Sequence, residues 1–143
     1  MNETLPLQSP APAAPSPQFV GKALIVDDNV ALARVTQFAL TRAGFDTRIA
    51  GNGRIALERV TAESFDVIIT DQQMPEMTGL EFLERMRALP GYAATPVILL
   101  TAKGLELELP RLQQDLDIYA VFPKPFSPSA VVDTACRALG VTV

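Results

Sequence analysis

From Lys22 onward the chain alternates short runs rich in β-branched and aliphatic residues with stretches of helical periodicity, and nothing else constrains its fold as strongly. Such alternation predicts an α/β fold, because a helix that carries the chain back across a sheet makes successive strands parallel. Five strand-helix pairs are predicted, with strands at about Lys22 to Val26, Asp46 to Ala50, Asp66 to Thr70, Pro96 to Leu100 and Ile118 to Phe122. Several are continuous apolar runs, as expected where helices cover both faces of the sheet.

The first helix is predicted from Asn29 to Ala43, with Asn29 or Asp28 as cap, Val35, Phe38 and Ala39 on one face, and Gly44 as terminator. The second runs from about Arg54 to Ala62 after the turn Gly51-Asn52-Gly53. The third, Leu80 to Leu89, puts Phe82, Leu83, Met86 and Leu89 inward before the Pro90-Gly91 break. The fifth has Ser127 as cap, Pro128 at its first position, Leu139 near its end and Gly140 as its stop. Pro110 lies in the middle of Gly104 to Asp117, and a proline inside a helix costs about 3 kcal/mol. The fourth helix is therefore expected to start late, with Pro110 at its first position and Leu105 to Leu109 as an irregular lead-in. Pro123 removes a backbone donor, which places the fifth strand at a sheet edge.

A chain of 143 residues suits one domain. Residues 1 to 18 hold Pro6, Pro10, Pro12, Pro15 and Pro17 among Ala, Ser and Gln, so a disordered proline-rich tail is expected to precede a domain at 19 to 143. A docking site for a polyproline reader is the less favoured alternative. With 48% hydrophobic and 20% charged residues the composition is that of a soluble globular protein. The net charge of -4 and the dispersal of the 12 Lys and Arg residues argue against direct nucleic-acid binding. One cysteine and no histidine exclude an internal disulfide and a Cys/His zinc site. Cys136, among Val131, Val132, Ala135 and Leu139, reads as a small buried hydrophobe. No apolar run approaches the roughly 20 residues of a membrane span. The N-terminus does not resemble a signal peptide, so a cytoplasmic location is expected.

Functional groups in a doubly wound sheet collect beyond the carboxyl ends of the strands. Asp27 and Asp28 follow the first strand, Asp71 the third, Thr101 the fourth and Lys124 the fifth. Three carboxylates brought together repel one another until pKa values rise or a cation neutralises them. All-oxygen ligands suit a hard ion, and few protein ligands with room for water and a phosphoryl group suit Mg²⁺ better than Ca²⁺. Singly, each residue has a plainer explanation: Asp28 as a helix cap, Thr101 as a strand-end hydroxyl, Lys124 as a solvated charge. Jointly, those explanations leave the convergence of acids after two core strands unaccounted for.

The ordered set Asp27-Asp28, Asp71, Thr101-Ala102 and Lys124-Pro125-Phe126, with the segment Asp71-Gln72-Gln73-Met74-Pro75-Glu76-Met77-Thr78-Gly79, resembles the receiver domain of two-component response regulators. The resemblance covers about residues 20 to 142. It implies a doubly wound five-stranded parallel sheet in the order 2-1-3-4-5, helices on both faces, and a cis peptide before Pro125. It further implies that Asp28 and Asp71 ligate Mg²⁺, with Asp27 as a ligand or through water and the Gln73 backbone carbonyl completing the set. Asp71 is then the nucleophile toward a phosphohistidine on a sensor histidine kinase or histidine phosphotransfer protein. Lys124 and Mg²⁺ stabilise the transferring oxygens.

Thr101 is expected to bond a phosphoryl oxygen. A charge-assisted bond contributes about 1.5 to 3 kcal/mol, short of the roughly 5.5 kcal/mol that inverts a strongly one-sided equilibrium. Lys124 and the metal must therefore add to it. The family's switch aromatic, three before the lysine, corresponds to Val121, and Tyr119 and Phe122 are out of register. The loop Ala102 to Leu109 is expected as the main mobile element, and Gln73 and Lys103 are expected to flank the phosphoryl entry. With no output domain after the fifth helix, the chain reads as a stand-alone phosphoacceptor acting through a downstream target protein. The alternatives are a receiver-shaped interaction module that takes no phosphate and a Mg²⁺-dependent phosphatase using Asp71. The phosphatase lacks a general acid, since Gln73 is not one.

Overall fold

A computed structural model describes residues 19–102 and 109–141. Ten elements alternate among the described residues: β1 (Gly21–Val26), α1 (Val30–Arg42), β2 (Phe45–Ala50), α2 (Gly53–Ala62), β3 (Val67–Asp71), α3 (Gly79–Arg87), β4 (Val97–Thr101), α4 (Leu109–Leu116), β5 (Ala120–Pro123) and α5 (Pro128–Ala138). The strands form one parallel sheet in the order β2-β1-β3-β4-β5, so the strand order reverses between β1 and β3. The predicted residues 1 to 18 of the tail, and Lys103 with most of the Ala102 to Leu109 loop, lie outside the described residues.

Strand side chains alternate between two cores. Leu24, Val26, Ile68, Val97 and Leu99 pack with Ala56 and Val60 of α2 and with Phe82, Leu83 and Met86 of α3. Ala23, Ile25, Val67, Ile69, Ile98 and Leu100 pack on the other side with Ala33 and Leu40 of α1 and with Val131, Val132, Ala135 and Cys136 of α5. Burial on both faces explains the unbroken apolar strands. Truncating a core side chain such as Phe82 to alanine is expected to cost about 3 to 5 kcal/mol.

Boundaries shift in ways that matter. β3 and β4 each end one residue later than the sequence suggests, so Asp71 and Thr101 are themselves the last residues of their strands. β5 starts at Ala120, and Ile118 and Tyr119 precede it. Its place at the sheet edge is as expected. Val35 and Phe38 share a face of α1 as expected, but that face does not meet the core: they are 50% and 64% exposed, and Ala33, Thr36 and Leu40 are buried instead. Small Ala33 lets the helix lie close to the sheet, and Thr36 satisfies its hydroxyl by donating to the Leu32 carbonyl at 3.1 Å. Phe38 packs outside against the Arg42 guanidinium, 5.7 Å from its ring centre.

The helix starts follow from capping. Asn29 caps α1 by accepting from Leu32 N at 3.1 Å, and Asn52 caps α2 by accepting from Ile55 N at 2.8 Å. Thr78 and Glu81 form a reciprocal capping box at the start of α3. Pro110 is the second residue of α4, not the first, but still within the opening turn where its missing N–H removes no helical bond. Gly44, at φ 102°, ends α1 in a conformation that a side chain disfavours. The Lys124-Pro125 peptide is cis, as the resemblance implied.

Candidate functional site

Parallel pairing sets Asp27, Asp71, Thr101 and Lys124 at one end of the sheet. Asp27 N extends the β1 ladder by donating to the Ala50 carbonyl at 3.1 Å, and Lys124 N extends β5 by donating to the Thr101 carbonyl at 2.8 Å. Asp27 and Asp71 are buried, and Asp28 is exposed. Carboxylate oxygens of the three lie within 4.8 Å of one another. Because Asn29 supplies the α1 cap, the capping explanation for Asp28 fails, and its carboxylate belongs to the acidic cluster.

Lys124 Nζ stands 2.6 Å from Asp71 Oδ1. This ion pair engages the buried oxygen, and no other polar group among the described residues hydrogen-bonds to it. Asp27 accepts from Asn29 N at 2.9 Å. Burial pushes its carboxyl above the ordinary range, the hydrogen bond from Asn29 opposes this, and the neighbouring Asp71 and Asp28 raise it further.

The loop after Asp71 is pinned by backbone and amide contacts. Gln72 N donates to the Leu100 carbonyl at 2.8 Å, Gly79 N to the Gln72 carbonyl at 3.1 Å, and Leu80 N to Gln72 Oε1 at 2.8 Å. A Cβ at Gly79 would collide with the Asp71 carbonyl oxygen, so only glycine lets α3 begin this close to β3. Gly79→Ala is expected to destabilise the protein by about 1 to 3 kcal/mol through forced backbone shifts. Its denaturant midpoint should fall, and its uptake of phosphoryl from acetyl phosphate should slow because Asp71 moves.

Gln73 bridges to the next strand. Its Nε2 donates to Thr101 Oγ1 at 3.2 Å, and its Oε1 accepts from Ala102 N at 3.0 Å. Thus Asp27, Asp28, Asp71 and Lys124 converge directly, and Thr101 is tied to Lys124 through the backbone and to Gln73 through its hydroxyl. The sequence reading missed this amide bridge and the Gln72 contact, since glutamine carries no pattern that marks a partner distant in the chain. It also missed the Thr78 cap, although the spacing Thr78 to Glu81 was a readable signal. Val121, where the resemblance implied a switch aromatic, is half-buried against the core beneath α2, α3 and α4.

Sheet order, strand-end acids and the paired lysine define a receiver-type phosphoacceptor site on a doubly wound fold. The response regulator receiver domain family matches residues 23–135, and the chain belongs to that family. A chemotaxis protein CheY homolog of Campylobacter jejuni is 36% identical over 122 residues, 83% of this chain and 92% of that protein. A probable transcriptional regulator ycf29 of Pyropia yezoensis is 34% identical over 78% of this chain but only 50% of its own length, so the chain spans about half of such relatives. The chemotaxis protein CheY4 structure of Vibrio cholerae superposes with a TM-score of 0.76 at 33% identity, covering 82% of this chain and 97% of that one. The chain is therefore a phosphoacceptor receiver of two-component signalling.

Proposed function

We propose that Asp71 is the residue phosphorylated. The observation that carries this is the lysine ammonium 2.6 Å from a buried Asp71 oxygen, beside two further carboxylates. One Asp71 oxygen forms a bond to the phosphorus of a phosphohistidine on a sensor histidine kinase or histidine phosphotransfer protein, and the P–N bond to the imidazole breaks. Lys124 answers the negative charge that gathers on the phosphoryl oxygens, and Thr101 supplies a hydroxyl donor at the adjacent strand end.

The all-oxygen donor set, with three carboxylates within 4.8 Å of one another, and their mutual repulsion fit a hard divalent ion. Asp28, Asp71 and the Gln73 backbone carbonyl would hold Mg²⁺, with Asp27 as a ligand or through water. Bound there, Mg²⁺ supplies neutralisation of the acids and of the phosphoryl oxygens. The phosphorylated form then alters binding to a downstream target protein. We take the working compartment to be the cytoplasm; no helix among the described residues is long and apolar enough to cross a membrane.

Incubation with acetyl phosphate and Mg²⁺, followed by intact mass measurement, tests the assignment. One phosphoryl group is expected on the wild type and none on Asp71→Ala. An unmodified wild type, or equal modification of the variant, would overturn it.

A pH dependence follows from Asp27. In the metal-free protein its raised pKa contributes stability below the ordinary aspartate value of 3.8, and that contribution is lost as pH climbs through the raised value. Mg²⁺ binds the carboxylate form. The rise in melting temperature produced by a fixed Mg²⁺ concentration should therefore grow with pH across that window. A flat response would contradict the placement of Asp27 in the metal site.

A further inference from the structure

We infer that the Gln73 side chain is a resting-state latch that withholds the Ala102 N–H from an incoming phosphoryl group. This rests on the phosphoacceptor reading of Asp71 and adds to it a positioning residue that sets how readily the site closes on its ligand.

The orientation of the amide is settled by chemistry. A backbone N–H can only donate, so the atom facing Ala102 N at 3.0 Å must be Oε1, and Nε2 must then face the Thr101 hydroxyl at 3.2 Å. Thr101 Oγ1 accepts from Gln73 and keeps its own proton free to donate. Ala102 N has a single hydrogen, and Gln73 holds it. Asp71 pairs with Leu100 across the ladder, so Thr101 and Ala102 are the next two residues along the adjacent strand end. A phosphoryl group on Asp71 brings strong acceptor oxygens to this edge. Thr101 can answer them with the Gln73 contact intact, whereas Ala102 can answer only after Gln73 lets go. Gln73 is itself exposed, so nothing in the core holds its amide in place once that bond is lost.

Beryllofluoride with Mg²⁺, which mimics a phosphoryl group on a carboxylate without covalent turnover, provides the test. Gln73→Met keeps the length of the side chain and removes both contacts; Gln73→Asn keeps the amide but is too short to span them. Both variants are expected to bind beryllofluoride about three- to tenfold more tightly than the wild type, the worth of one net hydrogen bond. The ligand-free variants should also exchange the Ala102 amide hydrogen faster. A merely structural role would lower stability and would not tighten binding. Unchanged or weaker binding by both variants, with a wild type that binds normally, would overturn the latch and leave the Asp71 assignment standing. A wild type that neither binds beryllofluoride nor takes phosphoryl from acetyl phosphate would remove the assignment and the latch together.

Discussion

Asp28→Asn is expected to weaken Mg²⁺ binding by about a hundredfold or more, since loss even of a group supporting a ligand commonly costs 10- to 100-fold. Phosphoryl uptake at limiting Mg²⁺ should fall in proportion. Fold stability without metal should change by less than about 0.5 kcal/mol. The two halves of this expectation come from one observation: Asn29, not Asp28, satisfies the first turn of α1, so the exposed Asp28 carboxylate has no capping role to lose. Removing its charge also lessens the repulsion on Asp27, which Asp28 helps to hold above its ordinary range. Calorimetric titration with Mg²⁺ and a denaturant curve in chelator would measure both. A variant that bound Mg²⁺ normally, or that unfolded early in chelator, would show that Asp28 is structural.

The largest stability effect outside the hydrophobic core is expected at Arg87, at the end of α3. Its guanidinium donates to four backbone carbonyls: Leu116 at 3.0 Å, Tyr92 at 2.7 Å, Thr95 at 2.7 Å and Asp117 at 3.0 Å. These tie together the close of α3, the connection to β4 and the turn that ends α4. Burial pulls the Arg87 pKa down, with Asp117 opposing. Arginine remains charged despite this because its ordinary value is so high. Arg87→Met would leave all four acceptors without their donor, at a cost of about 3 kcal/mol. Arg87→Lys should recover little, since a lysine cannot reproduce the planar fork. Urea unfolding of both variants checks this, and a shift near zero for Arg87→Met would show that water replaces the guanidinium freely.

The fold was legible because its cause is local and repeated: apolar strands and helical periodicity alternate, and Pro110, Pro128, Gly44 and Gly140 punctuate them. The acidic site was legible because strand-end residues inherit their position from strand order. Contacts made by flexible polar side chains across the fold were not. Gln73 meets Thr101, Arg87 meets Leu116, and Tyr92 Oη donates to the Glu63 carbonyl at 2.7 Å, each across nearly thirty residues with no periodicity to announce it. The misreading of α1 has another cause. Val35 and Phe38 are apolar yet exposed, and hydrophobicity is a one-way guide, since folded surfaces keep much apolar area.

The outermost strands also bear on how the protein behaves when crowded. β5 is only four residues long and finishes on Pro123, which has no N–H to offer a docking strand. β2 carries the Asp46 and Arg48 charge pair, joined at 2.7 Å, with Arg48 also reaching Glu63 at 3.4 Å. Short length, a missing donor and edge charges all oppose the stacking of one sheet onto the rim of another. Native molecules at high concentration should therefore resist fibrillar growth, and thioflavin-positive material should form only under conditions that first unfold the domain.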